Sequence, residues 1–317
     1  MVTLTLQVIA SVLGIAIAAG TVIVLAAQGE LLAELTGVYN MGVEGIMAMG
    51  AVTAILVVHV YPGNVGLAML LAMLVGDLMG MLFAVAVVVF KGDQVLSGLA
   101  IMFIGTGLSG RLGVSYAGAP SVAEFKQIPI PFLSEIPYFG ESFFNQTLVV
   151  YIAYLILPLV VGFVLYRTRH GMNLRAVGED PAAAEASGIS VAWYRFTYVC
   201  VGAALAGAGG AYLTLALSPT WQQGVIAGRG WISLALVIFA RWKPQGVILG
   251  SLLFGGLISF GFVAQARNWG FNPFFLSMLP YLATITFMIL TALLRSRISR
   301  RGIGPASLGS QYFKGEG

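Results

Sequence analysis

Long apolar runs separated by short polar breaks dominate this chain. Leu6 to Ala27, Gly45 to His59, Val65 to Phe90, Gln94 to Arg111, Thr147 to Tyr166, Phe196 to Leu217, Val247 to Val263 and Met278 to Leu294 each read as a membrane helix or most of one. Trp231 to Ala240 reads as a return crossing between its neighbours, and Glu30 to Glu44 is too short and too polar to cross alone. The pattern predicts an all-α integral membrane protein, a polytopic bundle of about 8–10 helical elements with discontinuous helices. It divides into one transmembrane domain over residues 1–301 and a flexible tail over 302–317. The first run lacks the basic start of a signal peptide and reads as a retained helix.

The longest polar break inside the basic half of the pattern is Arg167 to Arg195, RTRHGMNLRAVGEDPAAAEASGISVAWYR. A turn between neighbouring helices needs only a handful of residues, so this length calls for a use. A short helix over Pro181 to Ser187 is predicted: Asp180 caps it, Pro181 suits its first turn, AAAEA favours it and Gly188 ends it. The positive-inside rule places three basic groups in the cytoplasm: Arg167, Arg169, Arg175 and Arg195; Arg241 and Lys243; and Arg295, Arg297, Arg300 and Arg301. Counting crossings between them agrees and leaves the loop 113–146, with Glu124, Glu135 and Glu141 against Lys126, outside.

Composition excludes soluble classes. Of 317 residues 59% are hydrophobic and 9% charged, where about a quarter charged is usual for a soluble domain. The mean hydropathy of +0.94 agrees. The net charge of +4 is not gathered on a module that would suit nucleic acid, so its use is topological. Cys200 lies alone within a span and reads as a packing residue. No phosphate-binding G-x-x-x-x-G-K-[ST], H-E-x-x-H or G-x-S-x-G occurs, and His59 and His170 fall on opposite sides, so no catalytic, cofactor or metal site is expected in this chain.

Glycine, with 41 residues, is the next signal. GDLMG, GVILG and GAALAGAGGAY space small residues for close helix approach in lipid. GTGLSG, Gly105 to Gly110, spells a dinucleotide fingerprint, but no strand precedes it and packing is the reading. Polar residues at membrane depth mark a candidate path. TGVYNMGVEGIMAMGA puts Asn40 and Glu44 four apart among glycines, where a broken helix would border a translocation path and Asn40 and Glu44 would share a helical face. The alternative is that Glu44 pins two helices together. Gln94, Ser97, Arg229 and Trp231 complete the path candidates, and Asp77 reads as packing or a small cavity. GRGWISLALV weakly echoes GVEGIMAMGAV, with Glu44 and Arg229 each beside a glycine, and suggests an internal repeat.

GMNLRAVGEDPAAAEASGISVAWYRFTYVCVGAALAGAGGAYLTL resembles the signature of permease subunits of bacterial ABC importers of the ribose, branched-chain amino acid and nucleoside group. The matching residues are Gly171, Arg175, Ala176, Val177, Gly178, Glu179, Pro181, Ala183, Ala184, Gly188 and Ile189. The likeness extends to GVYNMGVEGIMAMGA and AGRGWISLALVIFARWKPQGVILGSLLFG. It is most similar to the shorter permease of the nucleoside type, which works with a basic-membrane-protein-like receptor. ELTG at Glu34 to Gly37 and GLAIM at Gly98 to Met102 depart from that pattern.

The resemblance implies a permease subunit that forms half of a translocation path in a bacterial cytoplasmic (inner) membrane, with its C-terminus in the cytoplasm. It implies coupling to a separate ABC ATPase through Arg175, Gly178, Glu179, Asp180, Pro181, Ala183, Ala184, Glu185 and Gly188. ATP and Mg would bind that ATPase, and the other partners would be a second, homologous permease in a heterodimer and an extracytoplasmic substrate-binding lipoprotein. Nucleosides are the expected cargo; simple sugars or branched-chain amino acids are the alternative, and a secondary transporter or channel is the competing class. The loop 113–146 would dock the receptor or pack as a lid.

Overall fold

The computed structural model describes residues 2–137, 139–294 and 304–313. In chain order they form α1 (Val2–Glu34), α2 (Val43–Val60), α3 (Val65–Ala84), α4 (Gln94–Gly113), β1 (Gln127–Pro129), α5 (Gly140–Phe144), β2 (Asn145–Thr147), α6 (Leu148–Tyr151), α7 (Leu157–Arg167), α8 (Arg169–Glu179), α9 (Pro181–Ala186), α10 (Val191–Tyr212), α11 (Arg229–Phe239), α12 (Pro244–Ala266) and α13 (Pro273–Leu294). Among the described residues 7 helical segments are long and apolar enough to cross a membrane, and α11 is a shorter apolar helix. Three spans carry a π-helical stretch: Val85–Val89 continues α3, Ile152–Ile156 joins α6 to α7, and Leu213–Leu217 extends α10. The chain is thus a polytopic all-α membrane protein. One end of the bundle carries α8, α9, Lys91 and the Arg241–Lys243 turn and is called the basic end; the loop 113–146 marks the far end. Arg295, Arg297, Arg300 and Arg301 lie outside the described residues.

α10 is the central helix, packed on α1, α2 and α3 through the predicted small residues. A Cβ on Gly202 would lie 2.6 Å from the Gly29 carbonyl, one on Gly207 2.5 Å from that of Ala72, and one on Gly76 2.5 Å from that of Ala203. At such spacing backbones touch, which is how helices gain van der Waals contact where lipid offers no hydrophobic drive. The opposite side of α3 displays Leu70, Leu74, Leu78 and Leu82 outward at one-turn spacing, an apolar face suited to lipid. Gly105 to Gly110 sit within α4, with Gly105 against Gly45, as packing predicts.

Four expectations change. The first helix does not stop near Ala27 but runs to Glu34, because Glu30 and Glu34 are buried and hydrogen-bonded rather than solvated. Asn40 and Glu44 do not share a helical face, since Asn40 sits in the turn and Glu44 in the first turn of α2. The polar connector contains α8 as well as the predicted short helix. Residues 304–313 are not a free tail: they pack on the basic end through bonds described below. At the far end, β1 and β2 pair antiparallel with Gln127 opposite Thr147, and the loop is sewn to the end of α10 by Phe125 N–H to the Leu215 carbonyl (2.9 Å) and Ser121 N–H to that of Pro219 (2.7 Å).

Candidate functional site

The two glycine-flanked segments that echo each other in sequence both start helices inside the bundle, and Glu44 joins them. α11 begins after Gly228, whose φ of +79° is the left-handed conformation glycine adopts at little cost. Its first N–H groups have no partner within the helix. Glu44 supplies one: Oε1 accepts from Gly228 N–H at 2.8 Å and Oε2 from Gly230 N–H at 2.7 Å. A carboxylate at a helix N-terminus is also favoured by the helix dipole. Gly230 permits the approach, since a Cβ there would lie 2.6 Å from the backbone of Glu44.

This junction is deep. Gly98 of α4 lies against Met41, Ile101 against Gly42 and Met102 against Gly45. Gln94, at the start of α4, faces the turn at the basic end, so Glu44 lies about 12 Å along the bundle from it. The 11 residues of α11 run from the Glu44 junction back toward that end, so α11 is a half-helix of about 16 Å. Arg229 folds back on its own approach loop, donating from Nη1 to the carbonyls of Val225 (3.2 Å) and Ile226 (2.9 Å). Trp231, half-buried, follows in the first turn. Thus Glu44, Arg229 and Trp231 are brought together.

Asn40, Gln94 and Ser97 lie nearer the basic end, in a different setting. The α1–α2 turn is anchored by side chains from several directions. Asn40 N–H donates to Glu30 Oε1 at 2.9 Å, and the Asn40 side-chain oxygen accepts from Gly42 N–H at 2.9 Å. Gln94 is buried; it accepts from Tyr39 N–H at 2.7 Å and donates to the Gly37 carbonyl at 3.4 Å and that of Ser310 at 3.3 Å. Glu34 accepts from Trp242 Nε1 at 2.6 Å. Burial, with the Glu34 and Glu30 carboxyls nearby, pushes the Tyr39 phenol up to about 12. Ser97 is half-buried beside the turn at Gly92. These groups brace a backbone break.

Arg195 has a structural role that its reading as a topology marker did not include. Read as a topology marker, it is 5% exposed in the first turns of α10. Its guanidinium donates to the Thr36 carbonyl (3.1 Å), the Ser310 carbonyl (3.2 Å) and Ser307 Oγ (3.3 Å). Glu30, Glu34 and Trp242 were missed as well. Two acids four apart at the end of an apolar helix are the signal for the first two; for Trp242 no local signal exists, because its partner is 208 residues away.

α8 and α9 form a compact basic-end element. Asp180 closes α8 and caps α9 by accepting Ala183 N–H at 2.9 Å, Pro181 opens α9, and Gly188 leaves it with φ of +82°. Of the nine residues singled out, Arg175, Glu179, Asp180, Ala183 and Gly188 are exposed and Pro181 and Glu185 half-buried. Gly178 and Ala184 instead turn inward, Gly178 against Leu35 and Pro305. The Arg175 guanidinium lies 5.5 Å from the Tyr166 ring centre. Lys91 sits beside this element, its pKa held below the ordinary value by burial and by Arg195, against the pull of Glu185.

Glu44 itself lines neither of two cavities. A far-end vestibule of about 940 Å³ is lined by Gln127, Glu141, Asn145, Gln146 and Arg267 among others. A smaller one of about 190 Å³ lies beside Arg229 and Tyr281.

Comparison with known proteins bears on this arrangement. Residues 12–294 match the family model described as branched-chain amino acid transport system / permease component. The chain is 36% identical to the putative glucose ABC transporter permease protein TsgC13 of Haloferax volcanii, over 95% of this chain and 97% of that one. It is 33% identical to the nucleoside ABC transporter permease protein NupC of Lactococcus lactis, over 93% and 94%. It is 30% identical to the guanosine ABC transporter permease protein NupQ of Bacillus subtilis, over 93% of each. No solved structure matches the chain.

Proposed function

This chain belongs to the family of permease components of branched-chain amino acid transport systems, and from that premise we propose that it carries a neutral, hydroxyl-rich solute, in the first place a nucleoside. The observation that carries the choice is the Glu44 junction. In broken-helix transporters a half-helix N-terminus often faces an anionic group of the cargo. Here that N-terminus is already occupied by the protein's own carboxylate, with both oxygens engaged. An amino acid carboxylate would have to compete with a tethered one, whereas an uncharged cargo would not. The relatives named for nucleoside and guanosine transport support the choice.

The second reading is a hexose, equally neutral, and the relative named for glucose favours it. In both readings this subunit hydrolyses nothing. It lies in the inner membrane with its basic end in the cytoplasm, α8 and α9 dock on a separate ABC ATPase that holds ATP and Mg, and a second permease completes the path. A receptor lipoprotein delivers cargo to the far end, where the amide-rich vestibule opens. Closure of the ATPase dimer pulls α9, and the flanking helices alternate between outward and inward openings.

The test is uptake by the importer reconstituted with its receptor, offered labelled uridine, labelled glucose and labelled leucine in separate assays. Uridine should enter and be competed by unlabelled guanosine, and leucine should not enter; uptake of leucine alone would overturn the neutral-cargo reading, and uptake of glucose alone would select the hexose. Replacing residues 178–185 by a Gly/Ser linker should abolish uptake and receptor-stimulated ATP hydrolysis while the chain still inserts.

A further inference from the structure

Residues 304–313 return to the basic end and bind four regions that are distant in sequence. Ser307 donates twice to the Gly178 carbonyl, from N–H at 3.0 Å and from Oγ at 2.7 Å, satisfying a carbonyl in the last turn of α8. Gly309 N–H donates to the Gly37 carbonyl at 3.1 Å. The Ser310 carbonyl accepts from Arg195 Nη1 at 3.2 Å and from Gln94 Nε2 at 3.3 Å. Tyr312 hydrogen-bonds Glu185 of α9, a contact that raises the pKa of its phenol. Gly304 lies against the Trp242 ring, and Trp242 holds Glu34.

We propose that residues 304–313 are a clasp that ties α8 and α9 to the α1–α2 turn, so that movement of α9 is delivered to the Glu44 junction, with Arg195 as the clasp's positioning residue. The proposal rests on the coupling role given to α8 and α9 above. The route runs from α9 and Gly178 through Ser307 and Arg195 to Thr36 and Gly37, then along the braced turn to Glu44. Direct packing of Gly178 on Leu35 brings the two regions together, and among the described residues the clasp hydrogen-bonds both. The ties are directional, and hydrogen-bonded networks hold one geometry where apolar packing permits sliding. Arg195 makes the clasp and the turn interdependent: of its three acceptors two belong to residues 304–313, and a buried guanidinium deprived of them is costly.

The test uses the full importer, trapped with ATP and vanadate, with hydrogen exchange read separately over α9 and over residues 38–44. In the unaltered complex both segments should respond to trapping. Deleting residues 304–317 should leave the response of α9 and reduce that of 38–44 about tenfold. Should the deleted chain fail to assemble, Ser307→Ala removes only the Oγ bonds and should reduce the 38–44 response about threefold. Combining it with Arg195→Lys should add less than the two single effects together, because both act through one contact. A response of α9 that reaches 38–44 undiminished in these variants would overturn the clasp alone. Absence of any response of α9 in the unaltered complex would overturn the coupling reading and the clasp with it.

Discussion

The approaches to α2 and α11 look alike in sequence and are held in opposite ways. The turn before α2 is gripped from outside by Glu30, Gln94 and Arg195, side chains from three other places in the chain. The approach to α11 is held by its own residues, Arg229 on the carbonyls of Val225 and Ile226, by Glu44 at the helix start, and by looser outside ties, Tyr281 Oη on the Ala227 carbonyl at 3.4 Å and Gly118 N–H on that of Trp221 at 2.9 Å. Gln222, Gln223 and Gly224 at its outer part are exposed. A brace with several independent members tolerates the loss of one; a single bidentate cap does not. The first approach is therefore the more firmly braced partner, and in the second the helix start itself is capped by a single carboxylate.

Breaking that carboxylate should have the largest effect. Glu44→Ala leaves the N–H groups of Gly228 and Gly230 unpaired and should cost about 3–4 kcal/mol, read as a lower unfolding temperature in detergent, with loss of uptake. Gly230→Ala inserts a Cβ into the Glu44 contact and should cost about 2 kcal/mol with a similar uptake defect, restored in neither case by more receptor. Gln94→Ala tests the multiply held side: it removes three bonds of one brace while Glu30 and Arg195 remain, and should cost about 1–2 kcal/mol. Asn40→Ala, losing one bond within the turn, should cost about 1 kcal/mol. Gln223→Ala should stay within about 0.5 kcal/mol. If Gln94→Ala proved as damaging as Glu44→Ala, the contrast between the two approaches would be lost.

Much of this arrangement was legible in the sequence where local chemistry decides it. The apolar runs gave the spans, and the Asp180, Pro181 and Gly188 punctuation gave α9. Glycine spacing gave the crossings of α10. The echo between the segments at Glu44 and Arg229 pointed to two helix starts, although not to the bond between them. α8 escaped notice because Gly171, Asn173 and Gly178 weaken its helical propensity, and tertiary approach to Leu165 and Leu35 is what selects small residues there. Residues 304–313 read as free because Gly, Pro, Ser and Gln favour loops, and the order comes from acceptors and donors over 100 residues away. Gln94 was picked as a path candidate, and only the structure assigns its amide to the turn.

Residues 304–313 also bear on how the protein is made. They leave the ribosome after every residue they bind, so Arg195 enters the bilayer region without two of its three eventual partners. Until translation passes Ser310, the basic end is held by a cation with one of its three acceptors, the sort of defect that makes an incomplete chain prone to local opening. A chain arrested before residue 304 should accordingly be cut faster within 35–42 by added protease than the chain that carries residues 304–313.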